Sequence, residues 1–509
     1  MRCLLILAHP RRDSLCGALF DAYADGAREA GVTCRELILS EMEFDPDVIA
    51  LSPEQQALEP DLVRAQQDIA WAEHLVFVFP TWWGTFPARL KGFLDRVLTP
   101  GFAFRHVSHD RWDKLLAGRS ADLITTMDTP SLVYRLIYRA PGRQALARAT
   151  LGYCGVRTAR VQAFGPVIAA NAAQRSRWLD QARASGARLG QGAFSATQQR
   201  TQRLGAWLAA LRLQFYPMTF IAYSVGALAA SPGQALSLAP YLLGYLTLFF
   251  LEAATVFLND WFDFESDRRN RNAGPFSGGS RVLVEGRIER AAMRRGITLA
   301  LLGTVAALAA LLMNAPRASS VPIAALYALF AAFALAYTVP PLKLCHRGLG
   351  ELDVVLTHSV GAILTGYVAQ GGDWSHSLPW LLALPLGASI LPSILLAGCP
   401  DYTADQAAGK RTLVVILGKR GAVRLALAAT VAAPLIAAGL ALARPELRAL
   451  LGWSAAAGAV HGLWLGRRLS GFLRADMPER IDGAIVLALT FILWFCVAPL
   501  IALMRLSPP

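Results

Sequence analysis

Two groups of aspartates lie at the ends of long apolar runs in this chain of 509 residues. In the first group, Asp260, Asp263 and Asp267 are spaced i, i+3 and i+7, which places them on one face of a helix. In the second group, Asp401 and Asp405 are spaced i, i+4, again on one face. Two facing sets of carboxylates at membrane depth usually mark a functional site, and hard oxygen ligands suit Mg²⁺. The sequence therefore predicts a metal-dependent site, with solvated loop acids balanced by arginines as the alternative.

The apolar runs predict a membrane domain, because a spanning helix needs about 20 consecutive apolar residues. They lie near residues 206–230, 236–258, 293–314, 320–339, 352–369, 377–398, 422–443, 447–466 and 483–504. Residues 1 to about 195 have the composition of an ordinary soluble domain. We therefore predict a soluble domain followed by an all-α integral membrane domain of about nine transmembrane helices.

The basic residues predict the orientation of these helices, since Lys and Arg accumulate in cytoplasmic loops. With the soluble domain in the cytoplasm, the inner loops hold Arg268, Arg269, Arg271, Arg281, Arg287, Arg290, Arg294, Arg295, Lys343, Arg347, Lys410, Arg411, Lys419, Arg420, Arg424, Arg467, Arg468, Arg474 and Arg480. The outer loops and the tail hold only Arg317, Arg444, Arg448 and Arg505. Both aspartate groups are then expected to face the cytoplasm, in a multi-pass protein of the cell inner (cytoplasmic) membrane.

The net charge of +13 does not indicate a nucleic-acid partner. Many of the basic residues lie in short loops between apolar runs, and the sequence has no strip of interleaved aromatic and basic residues. The seven cysteines form no CxxC pair and are expected to be free thiols in a reducing compartment.

The soluble part alternates apolar strands with helices. Strands are predicted at residues 3–8, 75–79, 123–126 and 158–163, and helices at about 14–30, 87–97, 144–151 and 172–189. The first run is too short for a signal peptide and is predicted to be a buried strand. This alternation predicts a doubly wound α/β domain with a parallel sheet, in which ligands bind beyond the carboxyl ends of the strands.

Three loops follow predicted strands and suit a cofactor. Their candidate binding residues are His9, Arg11 and Ser14 in the first loop, Pro80, Thr81, Trp82, Trp83 and Gly84 in the second, and Thr125 and Thr126 in the third. The first loop opens a helix, whose N-terminal amides suit a phosphate together with Arg11 or Arg12. The two tryptophans suit a flat ring system bound by its edge and face.

Residues 79–93, FPTWWGTFPARLKGF, resemble the flavodoxin-like NAD(P)H:quinone oxidoreductase family, and residues 9–14, 125–126 and 164–167 match other parts of it. The resemblance covers roughly residues 1–190. It implies FAD or FMN as the flavin, and hydride transfer from NAD(P)H to a quinone. A homodimer through the flavin domain is a further expectation. The alternative is a flavodoxin-like domain without flavin, as in ancillary subunits of ion-efflux systems.

The membrane part resembles the UbiA-type polyprenyltransferase superfamily. The resemblance rests on both aspartate groups, on residues 409–412 (GKRT), on residues 278–283 (GGSRVL), and on residues 337–343 (YTVPPLK) with 347–351 (RGLGE). The last pair looks closest to the 1,4-dihydroxy-2-naphthoate branch, which makes menaquinone precursors. Pro400 departs from that branch, so the aromatic acceptor stays open.

Together the two resemblances predict three segments: a flavodoxin-like NAD(P)H:quinone oxidoreductase domain at residues 1–190, a polar linker at 191–204, and a UbiA-type prenyltransferase transmembrane domain at 205–509. The expected metal ligands are Asp260, Asp263, Asp267, Asp401 and Asp405, with Asn259 assisting catalysis. Arg281, Lys343, Arg347 and Lys410 are candidates for the oxygens of a prenyl diphosphate. Glu252 is expected inside the span, lining a polar cavity or bonded to a neighbouring helix.

A physical reason for the fusion follows from the chemistry of the acceptor. A hydroquinone is electron-rich and attacks a prenyl carbocation far better than its quinone does. We therefore expect a bifunctional membrane enzyme of prenylquinone (menaquinone-like) biosynthesis, with a prenyl diphosphate, an aromatic quinone or hydroquinone and the lipid bilayer as partners.

Two other functions fit parts of the pattern. The soluble domain could act on the finished prenylquinone or serve another pathway. Alternatively, the chain could be a transporter with a flavodoxin-like regulatory module, which metal-dependent release of diphosphate would exclude.

Overall fold

The computed structural model describes residues 1–108, 111–230, 232–270, 274, 276–475, 477–478 and 481–506. The chain divides into two compact units, Met1–Arg200 and Thr201–Pro509. Arg271 and Arg480 of the predicted inner loops lie outside the described residues.

The first unit is built on a parallel sheet. Its strands are β1 (Arg2–Leu7), β2 (Thr33–Ile38), β3 (His74–Pro80), β4 (Phe104–Ser108), β5 (Arg111–Lys114), β6 (Ser120–Thr126) and β7 (Arg157–Phe164). Five of them form the sheet in the order β2-β1-β3-β6-β7, and β4 and β5 form a separate antiparallel pair. Strands β3 and β6 are buried over their whole length, which explains their apolar sequences.

Helices cover both faces of this sheet, so the predicted doubly wound α/β fold is confirmed. They are Leu15–Glu29, Pro60–Trp71, Ala88–Val97, Ser131–Leu136, Pro141–Gln144, the π-helix Ala145–Leu151, Gly152–Cys154 and Ala172–Ala187, with 3-10 turns at Pro53–Gln55 and Arg188–Gln191. The segment predicted as one helix at 144–151 is therefore mostly a π-helix. Strand β2 escaped prediction because it is an edge strand whose Arg35 and Glu36 are exposed and interrupt the apolar pattern.

The second unit is all-α, as predicted. Its helices are Tyr216–Ala230, Leu238–Phe262, Phe264–Arg269, Arg290–Asn314, Arg317–Ala336, Gly350–Leu356, the π-helical turn Thr357–Gly361, Ala362–Ala369, Ser377–Gly398, Tyr402–Ala407, Leu413–Ala443, Pro445–Arg474 and Asp482–Leu506, with a 3-10 turn at Leu344–His346. Within the described ranges, seven helical segments are long and apolar enough to cross a membrane. They are Leu238–Phe262, Arg290–Asn314, Arg317–Ala336, Gly350–Ala369, Ser377–Gly398, Leu413–Ala443 and Asp482–Leu506.

The predicted number of nine spanning helices is not confirmed. Tyr216–Ala230 has only 15 residues, and at 1.5 Å per residue it extends about 22 Å, less than the roughly 30 Å of a bilayer core. Pro445–Arg474 is long, but Arg467 and Arg468 shorten its apolar stretch. A multi-pass membrane domain is nevertheless the architecture that the seven helices establish.

A helix, Ala196–Leu211, runs through much of the predicted linker. It begins at a reciprocal cap: Gln198 N donates to Ser195 Oγ at 3.3 Å, and Ser195 N donates to Gln198 Oε1 at 2.9 Å. This arrangement satisfies two backbone donors at the helix start, which is why a polar, Gln-rich segment becomes helical.

Candidate active sites

The first aspartate group lies where Leu238–Phe262 ends. Asp263 is the C-cap of that helix and the N-cap of the next helix, Phe264–Arg269. Two helices therefore replace the single helix predicted there. Two backbone hydrogen bonds preserve helical spacing across the junction. Asp263 N donates to Asn259 O at 2.9 Å, and Asp267 N donates to Asp263 O at 2.8 Å. The aspartates therefore stay close together although the helix is interrupted.

The second aspartate group is joined to the segment of the first by hydrogen bonds from Ser266 and Asn270, which lie near the first group in the sequence. Ser266 Oγ donates to Asp405 Oδ1 at 3.0 Å, and Asn270 Nδ2 donates to Asp401 Oδ1 at 2.7 Å. The structure thus brings together residues that are about 140 positions apart in the sequence.

Lys410 lies between the two groups and is buried. Its Nζ is 2.9 Å from Asp263 Oδ2 and 3.4 Å from Asp405 Oδ1. Burial acts to lower the pKa of Lys410, but the charges of these two carboxylates raise it above its ordinary value. Burial likewise acts to raise the pKa of Asp263, but the nearby His346 and the charge of Lys410 bring it below its ordinary value.

A glycine segment connects the two aspartate groups. Gly278 N donates to Asp401 Oδ2 at 3.0 Å, and Ser280 binds Asp260 through its backbone N (3.0 Å) and its hydroxyl group. Between them, Gly279 has φ +69°, and a Cβ there would lie 2.2 Å from Asp267 Oδ2. A residue with a Cβ at this position would strain the backbone and displace the Asp267 carboxylate.

The protein groups leave negative charge uncompensated at this site. Burial and the neighbouring Asp263 raise the pKa of Asp267 to about 8, and burial with the neighbouring Asp405 raises the pKa of Asp401 to about 6. Asp263 Oδ1 is buried and has no hydrogen-bond partner within the described part of the chain. A buried excess of carboxylates with an open acceptor oxygen fits a divalent cation.

The arrangement of the carboxylates suits a metal ion bound jointly by the protein and a substrate better than an ion enclosed by protein ligands alone. Among the described residues, the group of metal-ligand side chains with atoms within 4.8 Å of one another is Asp263, Cys345 and His346, and no such group consists of aspartates alone. A thiol is a poor ligand for Mg²⁺. Mg²⁺ commonly binds to one or two protein carboxylates and completes its shell with water and substrate phosphates. The aspartates fit that mode.

Two adjoining cavities open at the aspartates. A polar cavity of about 150 Å³ is lined by Asp263, Asp267, Asp401, Asp405 and Lys410 among others, and an apolar cavity of about 260 Å³ lies beside it. Six residues line both: Arg212, Asn259, Phe276, Tyr337, Ile394 and Ala397. A charged head and a hydrocarbon tail of one ligand could therefore be held in continuous space.

Glu252 lines the apolar cavity and not the polar one. Thr219 Oγ1 donates to its Oε1 at 3.5 Å, and its Oε2 is buried without a partner among the described residues. A polar group therefore faces the apolar end of the combined cavity.

Of the four predicted diphosphate residues, Lys410 lines the polar cavity. Arg281 donates to the carbonyls of Asp267 (2.9 Å) and Asn270 (3.3 Å), and Arg347 donates to Pro341 O (2.8 Å). The Lys343 ammonium group lies 5.7 Å from the centre of the Phe262 ring.

Several side chains of this site were not predicted from the sequence. They are Arg212, Ser266, Asn270, Ser280 and His346. Ser280 lies within the glycine motif and could have been inferred from it. Asn270 carries no sequence signal, because its contact with Asp401 arises only on folding.

The candidate flavin loops follow β1, β3 and β6, which are neighbours in the sheet. Thr81 joins the second and third loops: its Oγ1 is 2.6 Å from Thr125 Oγ1, and its N donates to Thr126 O at 2.7 Å. The rings of His9 and Trp82 meet edge to face at 6.0 Å, which joins the first and second loops. The sheet therefore assembles all three loops at its carboxyl edge.

The first loop opens the helix Leu15–Glu29 as predicted. Ser14 caps this helix by accepting a hydrogen bond from Gly17 N at 3.1 Å. Arg12 is paired with Asp21 at 2.5 Å, whereas Arg11 is exposed. Arg11 and the Nη1 of Arg12, which is buried without a hydrogen-bond partner in the described part of the chain, therefore remain available for a phosphate.

The second loop presents its tryptophans to solvent. Trp82 N donates to Thr85 O (2.8 Å) and Thr85 N donates to Trp82 O (3.0 Å), which closes a tight turn over Trp83 and Gly84. Trp83 has φ 51° and is fully exposed, and Trp82 is 47% exposed. Non-glycine residues held in the left-handed region cluster at functional sites, and the two indole rings offer an apolar surface for a flat ligand.

Comparison with known proteins identifies both parts. Residues 1–185 match the model of the Flavodoxin-like fold, and residues 219–480 match the model of the UbiA prenyltransferase family. The second match alone covers more than half of the chain.

Individual relatives cover the first unit. An uncharacterized NAD(P)H oxidoreductase of Escherichia coli (strain K12) is 35% identical over 111 residues, which is 20% of this chain and 55% of that protein, so the chain spans about half of its length. Ribosyldihydronicotinamide dehydrogenase [quinone] of Pongo abelii is 31% identical over 193 residues, 33% of this chain and 83% of that protein.

A solved structure covers the second unit. A UbiA homolog from Archaeoglobus fulgidus bound to GPP and Mg²⁺ is 19% identical, with a TM-score of 0.43, over 58% of this chain and 99% of that chain. From the family matches, the chain belongs to the UbiA prenyltransferase family and carries, ahead of that domain, an NAD(P)H quinone oxidoreductase-like domain of flavodoxin-like fold.

Proposed function

We propose that this chain is a bifunctional membrane enzyme of prenylquinone (menaquinone-like) biosynthesis. The membrane domain transfers a polyprenyl group from an allylic diphosphate to an aromatic ring. The flavodoxin-like domain reduces a quinone to its hydroquinone with NAD(P)H. Both active sites face the cytoplasm, in the inner membrane.

The adjoining polar and apolar cavities, which share six lining residues, are the observation that carries the transferase proposal. The polar end, lined by four aspartates and Lys410, suits the diphosphate and its cation. The apolar end, lined by Leu248, Leu251 and Phe330, suits the hydrocarbon chain. A purely structural acid cluster would not need an adjoining apolar cavity.

Asp260, Asp263, Asp267, Asp401 and Asp405 would hold Mg²⁺ together with the diphosphate oxygens. When bound, the metal would supply positive charge to the diphosphate as the leaving group departs. Lys410 would add a hydrogen-bond donor to the same oxygens, because its ammonium group is already held between Asp263 and Asp405.

The remaining residues of the site orient the metal-binding carboxylates and exclude water. Asn259 donates to Asp263 Oδ2 at 2.8 Å and so orients a carboxylate while it lines both cavities. The apolar walls exclude water, which would otherwise capture an allylic cation before the aromatic acceptor does. Glu252 lines the apolar cavity and is a carboxylate that could accept the proton lost by the prenylated ring.

In the flavodoxin-like domain, His9, Arg11 and Ser14 would hold the flavin phosphate. Pro80, Thr81, Trp82, Trp83 and Gly84, with Thr125 and Thr126, would hold its ring. Bound FAD or FMN would transfer hydride equivalents from NAD(P)H to the quinone. The exposed faces of the two tryptophans support this role, because they provide an apolar surface at the carboxyl edge of the sheet.

One experiment tests the whole proposal. Purified full-length protein is supplied with prenyl diphosphates of several lengths and with naphthoquinones, with and without NAD(P)H. Mg²⁺-dependent formation of a prenylated product supports the transferase, and oxidation of NAD(P)H by the quinone supports the reductase. A protein that binds prenyl diphosphate but never releases diphosphate would refute the transferase assignment.

A further inference from the structure

The first unit contains a large basic cavity that the proposed activities do not use. Its volume is about 880 Å³, and six arginines line it: Arg135, Arg139, Arg143, Arg148, Arg157 and Arg160. None of its lining residues has a carboxylate side chain, and none is a candidate flavin-binding residue. It therefore differs from the candidate flavin site in its lining residues and in its charge.

Most of this positive charge has no protein counter-charge. Arg160 lies 3.5 Å from Asp122, and Arg157 stacks over the Phe194 ring at 4.8 Å. For the other four arginines, no carboxylate of the described residues lies within 4.0 Å. Arginines left unpaired around one concave surface repel each other unless an anion joins them.

The backbone that carries these arginines is unusual in two places. Arg139 and Ala140 are consecutive non-glycine residues with positive φ, 57° and 47°. Arg148 lies on the π-helix Ala145–Leu151. Both features cost free energy and tend to be retained where they place functional groups.

An unsatisfied donor also faces this region. Thr158 lines the cavity, and its Oγ1 is buried without a hydrogen-bond partner in the described part of the chain. A hydroxyl group in this state can donate to an anionic oxygen, which would complete a set of donors made otherwise of guanidinium groups.

We propose that this cavity binds an organic molecule with two or more phosphate groups. Guanidinium groups bind phosphate oxygens bidentately, and an 880 Å³ cavity is larger than phosphate alone requires and suits a nucleotide-sized ligand. The same chemistry is offered by a soluble nucleotide with two phosphates and by a phospholipid headgroup with two phosphates, and the experiment separates these two sources.

The test measures binding to the full-length, flavin-saturated protein in detergent with EDTA present, so that the aspartate site cannot bind phosphates through a metal. The soluble probe is adenosine 2′,5′-bisphosphate, which lacks a nicotinamide, with AMP for comparison. The lipid probe is a short-chain cardiolipin, whose headgroup carries two phosphates, with dihexanoyl phosphatidylcholine for comparison. Binding is followed by calorimetry at low and high salt.

The test variant is Arg143→Ala with Arg148→Ala, since both side chains are exposed and line the cavity. The control is Arg177→Ala with Arg188→Ala, which removes the same charge from exposed positions outside it. We expect one of the two anionic probes to bind, and the test variant to weaken that binding by about tenfold or more, with affinity falling as salt rises. The control should bind as the parent does.

Three results would overturn the proposal. The first is that neither anionic probe binds the parent protein. The second is that both double variants weaken binding equally, which would indicate only general surface charge. The third is that the test variant changes the oligomeric mass but not anion binding, which would assign the arginines to a contact with a second copy. Retention of flavin by the test variant confirms that it is folded.

Discussion

Asp263 has more contacts than any other carboxylate of the aspartate site, and this limits what its removal can reveal. It accepts from Asn259, pairs with Lys410 at 2.9 Å and faces His346 at 3.7 Å. Removing it would leave the buried Lys410 with Asp405 alone, which is strongly destabilising in a buried network. Asp401 is a better probe, because its hydrogen-bond partners among the described residues are the neutral Asn270 and Gly278.

We expect Asp401→Asn to lower prenyl transfer by about 100-fold or more, because the site would lose a charge that holds the cation. Asp260→Ala, Asp263→Ala and Asp405→Ala should have the same effect, and so should EDTA. Oxidation of NAD(P)H should be nearly unchanged in each case. Asp373→Ala, at an exposed carboxylate of the same domain, is the control. Full transfer by an Asp401→Ala, Asp405→Ala double variant would disprove the role of the second group.

Gly279 and Gly286 form a matched pair for testing how closely the backbone must approach the aspartates. Both have positive φ, +69° and +64°, but a Cβ meets Asp267 at 2.2 Å only in Gly279, whereas Gly286 has open space. Gly279→Ala should therefore reduce transfer by about tenfold or more through displaced carboxylates. Gly286→Ala carries the backbone strain without the clash. Equal losses in the two variants would show that strain, and not contact with the aspartates, is responsible.

At the scale of elements, the carboxyl edge of the parallel sheet organises the candidate flavin site. The tryptophan loop is held there from two sides: Thr81 binds the last two residues of β6, and Tyr134 Oη donates to Gly84 O at 3.1 Å. Gly142, on the helix Pro141–Gln144, packs so closely that a Cβ would lie 2.6 Å from Thr85 Cα. The position of the loop thus depends on a helix some 55 residues further along the chain.

We expect purified protein to be yellow, with about one flavin per chain, to be bleached by NAD(P)H and to regain its colour with a quinone. Gly142→Ala should lower flavin occupancy, because it forces the tryptophan loop away from its position. Gly205→Ala, at a helical glycine whose Cβ meets nothing within 4 Å, should not. Absorbance at the flavin bands measures both. A colourless protein that neither FAD nor FMN can reconstitute would reject the flavin assignment.

At the scale of the whole molecule, one chain joins a reductase-like domain to a prenyltransferase domain. The segment that joins the two domains includes the helix Ala196–Leu211, which is capped at its start. A covalent link keeps the two domains in equal amounts in the same membrane and raises their effective concentration for a shared quinone. We propose that this arrangement serves a reaction sequence in which the hydroquinone made at one site is the substrate of the other.

Coupling predicts a dependence on the redox state of the acceptor. With an oxidised naphthoquinone, prenylation by the full chain should require NAD(P)H, and Trp82→Ala with Trp83→Ala should impair it. With the chemically reduced hydroquinone under anaerobic conditions, both requirements should disappear. Rates for the two acceptor states are compared in parent and variant proteins. Equal prenylation of oxidised acceptor without NAD(P)H would show that the fusion has another purpose, while both domain assignments would stand.

Sequence periodicity was sufficient to predict the elements that are buried on both faces or that span a membrane. The strands at 3–8 and 75–79 and the long apolar helices carry long apolar runs with few polar residues, because positions buried on both faces or facing lipid disfavour polar side chains. Strand β2 and the helix Pro60–Trp71 escaped prediction because each exposes one side, so their apolar residues are too few to stand out. The helix at 196–211 escaped because its start depends on a local cap and not on apolar spacing.

The sequence by itself determined the residue types and local spacings: two aspartate groups, a glycine segment, a tryptophan loop and their places at element ends. Only the tertiary structure decided which of these meet. It joined Asp401 to Asn270 and Gly278, placed Lys410 between Asp263 and Asp405, and gathered six arginines around one cavity. The physical reason is that helix and strand periods are local, whereas hydrogen bonds and charge pairs across elements depend on packing between residues far apart in the chain.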